Sequence, residues 1–263
     1  MEPWQVIVAL IQGLVEWLPI SSEGQVVLFV YNLGAVPQSE LISLVVWLHL
    51  GTALAVLVRY PRVIFEILTL RDKHLFRLLI LATIGTAVTA IPFYFLLKES
   101  LSVLHGELLN VLVGGLLLAT AGILYLPTRN VEESQGISEE PSDQQAVITG
   151  LVQGFSVLPG LSRSGVTISA LLMQKVERET ALRFSFLMSV PAVIGILIVE
   201  VLAGNVVPPS IGLSDMILMQ IIVFATGLLS METLLRLARK ISFWKLCLFL
   251  GIVAIVFGLP ALF

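Results

Sequence analysis

Pro159-Gly160-Leu161-Ser162-Arg163-Ser164-Gly165-Val166-Thr167 lies in the middle of an apolar stretch running from 146 to 175. The stretch is greasy enough for helix buried in lipid, yet Pro159 and Gly160 interrupt it and Arg163 places a permanent cation at its centre. A charge at the centre of a lipid-embedded helix costs roughly 2.5–3.5 kcal/mol on insertion scales, so such residues face a cavity or a partner. Of the fifteen Lys and Arg residues, all but Arg163 fall in short segments between apolar runs. Function is therefore sought around Arg163.

Composition sets the solvent. The 263 residues are 57% hydrophobic and 13% charged, with mean hydropathy +0.99. A soluble domain is nearer 45–50% apolar and about 25% charged. The apolar runs are too long and continuous for barrel strands, and an open sheet leaves its backbone unsatisfied in lipid. The fold class is an all-α polytopic membrane protein. The net charge of -3 says little, because the placement of charge matters more than its sum. The single Cys247 excludes an internal disulfide and reads as packing. The start of the chain has no basic n-region or small-residue cleavage site, so the first segment is expected to belong to the mature fold.

A membrane crossing needs about 20 apolar residues. Six spans are expected, at 41–58, 78–97, 107–126, 180–203, 211–235 and 246–263. Two further apolar segments, 4–32 and 146–175, are interrupted by Pro, Gly, Ser and charge, and read as re-entrant helical hairpins. Irregular backbone at that depth survives only under protein or beside a water-filled cavity. With this topology thirteen Lys and Arg residues share one side and Lys98 stands alone on the other. The positive-inside rule makes the rich side cytoplasmic, so the first hairpin opens outward and the second inward. The expected location is the plasma membrane, with the active site open to the extracytoplasmic side. Residues 127–145, rich in Glu, Ser and Gln, read as a disordered cytoplasmic linker.

The two hairpins share a pattern. Gln12-Gly13-Leu14 leads to Leu18-Pro19-Ile20-Ser21-Ser22, and Gln153-Gly154-Phe155 leads to Leu158-Pro159-Gly160 and Ser162-Arg163-Ser164. Each is followed by three spans, so 1–126 and 146–263 form an inverted-topology repeat. Such repeats bring broken helices together near the midplane and build a binding site there.

Gln12 and Glu16 are four apart and share a helical face. Pro19 ends that helix, and Ser21 is placed to cap the next, which opens with Ser22, Glu23, Gly24 and Gln25. In the second hairpin Ser162 is a natural N-cap, with Arg163 and Ser164 in the first turn. Helix N-termini favour anions, and a guanidinium grips two phosphate oxygens at once. The set suits a phosphate, and the lack of a Walker-type glycine loop argues against a nucleotide. A plainer reading keeps Arg163 as a structural cation neutralised by Glu16, and the hydroxyls as satisfiers of broken backbone. Glu23 reads equally as a solvated residue at the outer mouth. His49 and His105 read as hydrogen-bonded structural residues, His74 as a solvated loop residue, and Glu200 and Glu232 as reaching the interfaces. No zinc-ligand spacing occurs.

At these hairpins the chain resembles the undecaprenyl-diphosphate phosphatases, also called bacitracin-resistance proteins. The family shows Glu/Gln-x-x-x-Glu running into Leu-Pro-x-Ser-Ser-x-Gly-His, and later Pro-Gly-x-Ser-Arg-Ser-Gly-x-Thr. Here these are Gln12 to Glu16, Leu18 to Gln25, and Pro159 to Thr167. Leu48-His49-Leu50-Gly51-Thr52 and Phe184-Ser185-Phe186-Leu187 add weaker support. The resemblance implies hydrolysis of a polyprenyl diphosphate to the monophosphate plus phosphate, which recycles the carrier lipid of cell-envelope glycan synthesis. It implies Glu16 as general base or metal ligand, Ser22 as nucleophile or phosphate contact, and Arg163 as holder of the transferred group. Gln12, Ser21, Gln25, Ser162, Ser164 and Thr167 would bind substrate. A divalent cation, Mg2+ or Ca2+, is implied, with Glu16 as a ligand; Glu23, where the family usually has a small polar residue, is expected as a second ligand from its carboxylate alone. The partners are the prenyl lipid and the bilayer, with no nucleic acid and room for a homodimer. The chain departs from the family at Gln25, where the pattern has His, and Glu23 is expected to supply a carboxylate there. The alternative function is a lipid-phosphate flippase of the same fold.

Overall fold

Backbone groups in lipid must be satisfied within their own segment, and among the described residues the long apolar runs are helical. The computed structural model describes residues 1–103, 108–129, 138–204, 208–237 and 243–258. In chain order the α-helices are α1 (Pro3–Val15), α2 (Ser22–Leu33), α3 (Leu41–Arg59), α4 (Pro61–Leu68), α5 (Lys73–Val103), α6 (Leu108–Arg129), α7 (Asp143–Gly154), α8 (Arg163–Met173), α9 (Arg178–Leu202), α10 (Leu213–Leu237) and α11 (Phe243–Gly258). Both segments 4–32 and 146–175 are helix–break–helix, as their Pro and Gly dictate.

Among the described residues five helices are long and apolar enough to cross a membrane: Gln38–Arg59, Lys73–Glu99, Leu109–Leu126, Arg178–Leu202 and Leu213–Met231. The sixth expected span corresponds to α11, which is 16 residues long as described; residues 259–263 lie outside the described part. Two expectations are corrected. First, 61–68 is not bare loop. Pro61 at the first helical position presets α4, which buries Ile67 and leaves Phe65 and Leu68 exposed. Second, the linker is ordered at its far end. The Ser138 amide donates to the Lys175 carbonyl at 2.9 Å and its carbonyl accepts from Glu177 at 2.9 Å. Ser142 and Gln145 then form a capping box on α7. Composition read the polar residues correctly but not their use as a cap. Residues 130–137 lie outside the described part.

The helices pack in matched pairs. α1 lies on α10 and α7 lies on α5, while α6 packs on α11 and α3 on α9. Each of the first two contacts is drawn in by a glycine that follows a glutamine. A Cβ on Gly13 would meet Thr226 Oγ1 at 2.0 Å and the Val223 carbonyl at 2.8 Å; one on Gly154 would meet Thr89 Oγ1 at 1.8 Å and the Thr86 carbonyl at 2.7 Å. Small residues let helices approach closely enough for side chains to reach the neighbour's backbone. Ser230 Oγ donates to the Gly13 carbonyl at 2.9 Å, Trp17 Nε1 to that of Gly227 at 2.8 Å, and Thr89 Oγ1 to that of Leu151 at 2.9 Å. Gly154→Leu is expected to force α7 off α5 at a cost of about 2–3 kcal/mol, read as a lowered melting temperature in detergent. An unchanged melting temperature would refute the close approach.

Glu200, near the end of α9, is turned into the protein. It is fully buried, lies 3.2 Å from Lys98 Nζ, and accepts from Ser43 Oγ at 3.1 Å. Lys98 also donates to the Tyr94 hydroxyl at 3.0 Å. A buried carboxylate is tolerable only when paired and hydrogen-bonded, and this cluster ties α3, α5 and α9 together. The Glu232 side chain and His105 lie outside the described part. Cys247 is buried as expected, its thiol 3.3 Å from the Pro19 carbonyl.

Candidate active site

The two helix breaks meet. Ser21 ends the first at φ 57° and caps α2 by accepting from the Gly24 amide at 3.2 Å. The same Oγ accepts from the Gly160 amide at 3.1 Å across the two breaks. Gly160 has φ 113°, and a Cβ there would lie 2.7 Å from the Val113 carbonyl, so the break needs glycine. Ser162 caps α8 through the Gly165 amide at 3.2 Å. Both caps are where the sequence placed them. The first turns of α2 and α8, two helix N-termini, therefore line one small polar cavity.

Glu16 is the hub of that cavity. It is the last residue held by α1, its amide bonded to the Gln12 carbonyl at 3.1 Å. One carboxylate oxygen pairs with the Arg163 guanidinium. The other accepts from Gln12 Nε2 at 2.9 Å and from Ser22 Oγ at 2.6 Å. Ser22 and Glu16 thus stand as hydroxyl donor and carboxylate acceptor, the geometry of a nucleophile and its orienting group. The plainer reading of Arg163 holds in part, since it does neutralise Glu16. Its Nε, however, is buried without a hydrogen-bond partner. A buried bare N–H is costly, and Arg163 lines the polar cavity, where its positive charge suits an anion.

His49 is the residue the sequence reading missed. It sits in α3, buried, with Nδ1 2.7 Å from the Val45 carbonyl. A carbonyl only accepts, so Nδ1 carries a proton. Nε2 lies 3.3 Å from an oxygen of Glu16 and 3.3 Å from one of Glu23. An imidazole with both nitrogens on acceptors is held as the imidazolium. Glu23, partly exposed, lines the same cavity and pairs with His49. The available signal was indirect: a His in an apolar span, in a chain whose α2 carries Gln25 where a His was expected.

The other expected residues divide. Ser162 lines the cavity, and its Oγ lies 3.3 Å from Ser164 Oγ. Ser164 Oγ donates to the Leu18 carbonyl at 3.1 Å, which fastens one break to the other. Thr167 turns away, bonded to the Arg163 carbonyl at 2.8 Å and to Ser185 Oγ at 2.6 Å. Gln25 Nε2 donates back to the Ile20 and Ser21 carbonyls at 3.2 and 3.4 Å, outside the cavity lining. His74 is exposed, as expected, and meets Glu140 at 3.2 Å, but it stands in the first turn of α5 rather than in a loop.

A divalent cation fits this donor set only with help. Among the described residues no three His, Cys, Asp or Glu side chains converge as a ready cage. Glu16 and Glu23 present hard oxygens, and the unpartnered Gln12 Oε1 adds another beside Glu16. Cations such as Mg2+ are commonly held by one or two carboxylates with substrate phosphates completing the shell. Two carboxylates against one guanidinium and one imidazolium also leave no surplus positive charge for a diphosphate, which a cation would supply.

Comparison with known proteins agrees with this chemistry. A family model described as Bacitracin resistance protein BacA matches residues 5–256. A protein of Methanothrix thermoacetophila named undecaprenyl-diphosphatase is 38% identical over 95% of this chain and 94% of its own length. Proteins of the same name from Methanopyrus kandleri and Haloarcula marismortui are 37% and 35% identical, over 99% and 97% of this chain and 98% and 96% of their own lengths.

Proposed function

The chain belongs to the bacitracin resistance protein BacA family, and we propose that it hydrolyses an undecaprenyl-type diphosphate to the monophosphate and inorganic phosphate. The observation that carries this is the Ser22–Glu16–Arg163 constellation between two helix N-termini. Relatives over nearly the whole chain are named for that hydrolysis, and nothing favours lipid transfer between leaflets instead.

In this reading the Arg163 guanidinium and the two N-terminal turns hold the terminal phosphoryl group. Ser22 Oγ is the attacking oxygen, its proton passes to Glu16, and the lipid leaves as its monophosphate. Water then attacks the phosphorus on Ser22, the Ser22 Oγ–P bond breaks, and inorganic phosphate is released with the proton returned to Ser22. Glu16 is a weak base, because Arg163 and His49 already neutralise it, but the loose transition state of phosphoryl transfer asks mainly for placement and charge neutralisation. Glu16 and Glu23 would hold a divalent cation, which when bound supplies positive charge to the diphosphate oxygens. His49 keeps the two carboxylates apart and aimed. His49→Ala is expected to lower kcat roughly a hundredfold through lost placement, measured as steady-state phosphate release. A loss below threefold would make His49 merely structural.

The finer topology belongs to the same proposal. α1–α2 and α7–α8 are re-entrant hairpins, α11 completes six spans, and 1–126 and 146–263 are inverted repeats. The paired α1–α10 and α7–α5 contacts, each built on a Gln-Gly step, support that pseudo-symmetry. The site opens to the extracytoplasmic face of the plasma membrane, and a homodimer is compatible with it.

The deciding experiment is phosphate release from undecaprenyl diphosphate by purified protein in detergent. Release is expected with Mg2+ or Ca2+ and is expected to stop with a chelator. Glu23→Gln should raise the cation concentration needed for half-maximal rate. No release with any divalent cation refutes the hydrolase reading; release unaffected by chelation refutes the cation.

A further inference from the structure

Residues 60–72 join α3 to α5 between two candidate spans, Gln38–Arg59 and Lys73–Glu99. The segment therefore lies at the level where those spans leave the bilayer. It holds α4 and the turn after it, and its side chains divide by face. Val63, Ile64 and Ile67 pack on the protein core. Arg62 and Glu66, four apart and both exposed, share a polar edge. Phe65 and Leu68 turn outward, with Leu68 76% exposed. Both lie outside the two spans, so an ordinary lipid-facing span wall does not account for them. The turn after α4 adds a third. The Leu70 amide donates to the Ile67 carbonyl at 3.1 Å and the Arg71 amide to that of Glu66 at 2.9 Å, which closes the helix with Leu70 at φ 54°. Glycine ends helices this way without strain. Leucine does so at a cost, yet here its side chain is left half-exposed rather than packed.

Basic side chains surround these apolar ones. Between 59 and 73 stand Arg59, Arg62, Arg71 and Lys73 against Glu66 and Asp72. Asp72 is used inside the fold, its carboxylate accepting from the Leu75 amide at 2.9 Å. The Arg71 guanidinium lies over the Phe65 ring, 5.3 Å from its centroid. Basic residues with apolar stems, set beside aromatic and aliphatic side chains on a short amphipathic helix, suit the boundary between acyl chains and headgroups. We infer that 59–73 is a headgroup-level anchor that binds anionic phospholipid. Phe65, Leu68 and Leu70 enter the acyl boundary, and Arg62, Arg71 and Lys73 take the phosphates beside them. The inference goes beyond the proposed hydrolysis and stands without it. The place of the segment between two spans selects a lipid surface as its partner, and its surplus of positive charge selects an anionic one. With the proposed topology that surface is the cytoplasmic leaflet. Such an anchor holds α5 and α3, the helix that carries His49, at one depth.

The test offers the purified full chain equal amounts of phosphatidylglycerol and phosphatidylcholine in detergent and counts bound lipid by native mass spectrometry. A Lys or Arg near an anionic surface is worth about fivefold in binding, so phosphatidylglycerol is expected to be retained at least about tenfold over phosphatidylcholine. Arg62→Gln combined with Lys73→Gln, both exposed and outside the cavity lining, is expected to bring that preference below about threefold. Arg178→Gln combined with Arg183→Gln, two exposed basic residues of α9, is expected to keep it. A nitroxide on Leu68→Cys in vesicles of the two lipids reads depth, since Cys247 is buried away from the reagent. Oxygen is expected to reach it more than a water-soluble nickel chelate does. Equal retention of the two lipids overturns the inference, as does a preference that survives in the Arg62 and Lys73 variant or falls equally in the α9 variant. A label reached mainly by the chelate, as on a face awaiting a protein partner or a second copy, overturns it too. Where the double variant fails to fold, the label decides alone.

Discussion

Arg163→Lys is expected to lower kcat/KM for a prenyl diphosphate about a thousandfold while the protein remains folded. The guanidinium has two tasks in this structure. It pairs with Glu16, and it lines the polar cavity with its Nε buried and unpartnered. Lysine keeps the positive charge near Glu16, so the fold retains its internal pairing. It cannot keep the planar fork that grips two phosphate oxygens together. Arginines that stabilise a transferring phosphoryl group are worth roughly 10³–10⁵ in rate, and the lower end applies because a charge remains. Arg163→Ala is a poorer test. It leaves buried Glu16 without its cation, which costs about 3–5 kcal/mol when one partner of a buried pair is removed, so lost folding and lost chemistry would be mixed. Phosphate release by the Lys variant, beside its melting temperature in detergent, separates the two. Near-native activity would sink the phosphate clamp and return Arg163 to a purely structural role.

Glu16→Gln is expected to cost about 10³–10⁴ in kcat with little change in shape. The carboxylate accepts from Gln12, Ser22, His49 and Arg163. An amide of the same size has one acceptor oxygen and one donor nitrogen, so at least one of these donors must face an NH2 group. The negative charge that balances Arg163 and His49 is also lost, leaving two cations on one cavity wall. A carboxylate-to-amide change that preserves geometry in a catalytic triad costs about 10⁴, and the loose phosphoryl transition state argues for a value at or below that. Single-turnover phosphate release from undecaprenyl diphosphate measures it. A kcat within tenfold of the native value would remove Glu16 from the chemistry and leave it a packing residue.

Local signals carried much of the site. Pro19, Pro159 and Gly160 mark the helix breaks, because a missing amide or a positive φ ends a helix wherever it stands. Ser21 and Ser162 cap the helices that follow, because a cap needs only the residues next to it. Arg163 stood out because a charge in an apolar run is costly without any knowledge of the fold. His49 carried no such mark. Inside α3 a histidine bonded to its own helix and one aimed at two carboxylates look alike in sequence. The pairing of Glu200 was equally illegible, since its partner Lys98 is 102 residues away in the chain.

The solvent, the helices, their breaks and the cation that must face a cavity were legible in the residue order, since each follows from short-range sterics or from the energetics of transfer into lipid. Which side chains meet depended on the packing of the helices. Contacts between helices depend on the depth and rotation of each about its axis. Here those are set by close approaches such as Gly13 against Val223 and Thr226 on α10, and Gly154 against Thr86 and Thr89 on α5. That packing brings His49 between Glu16 and Glu23, turns Gln25 and Thr167 back onto their own neighbours, and opens an apolar chamber against Arg163.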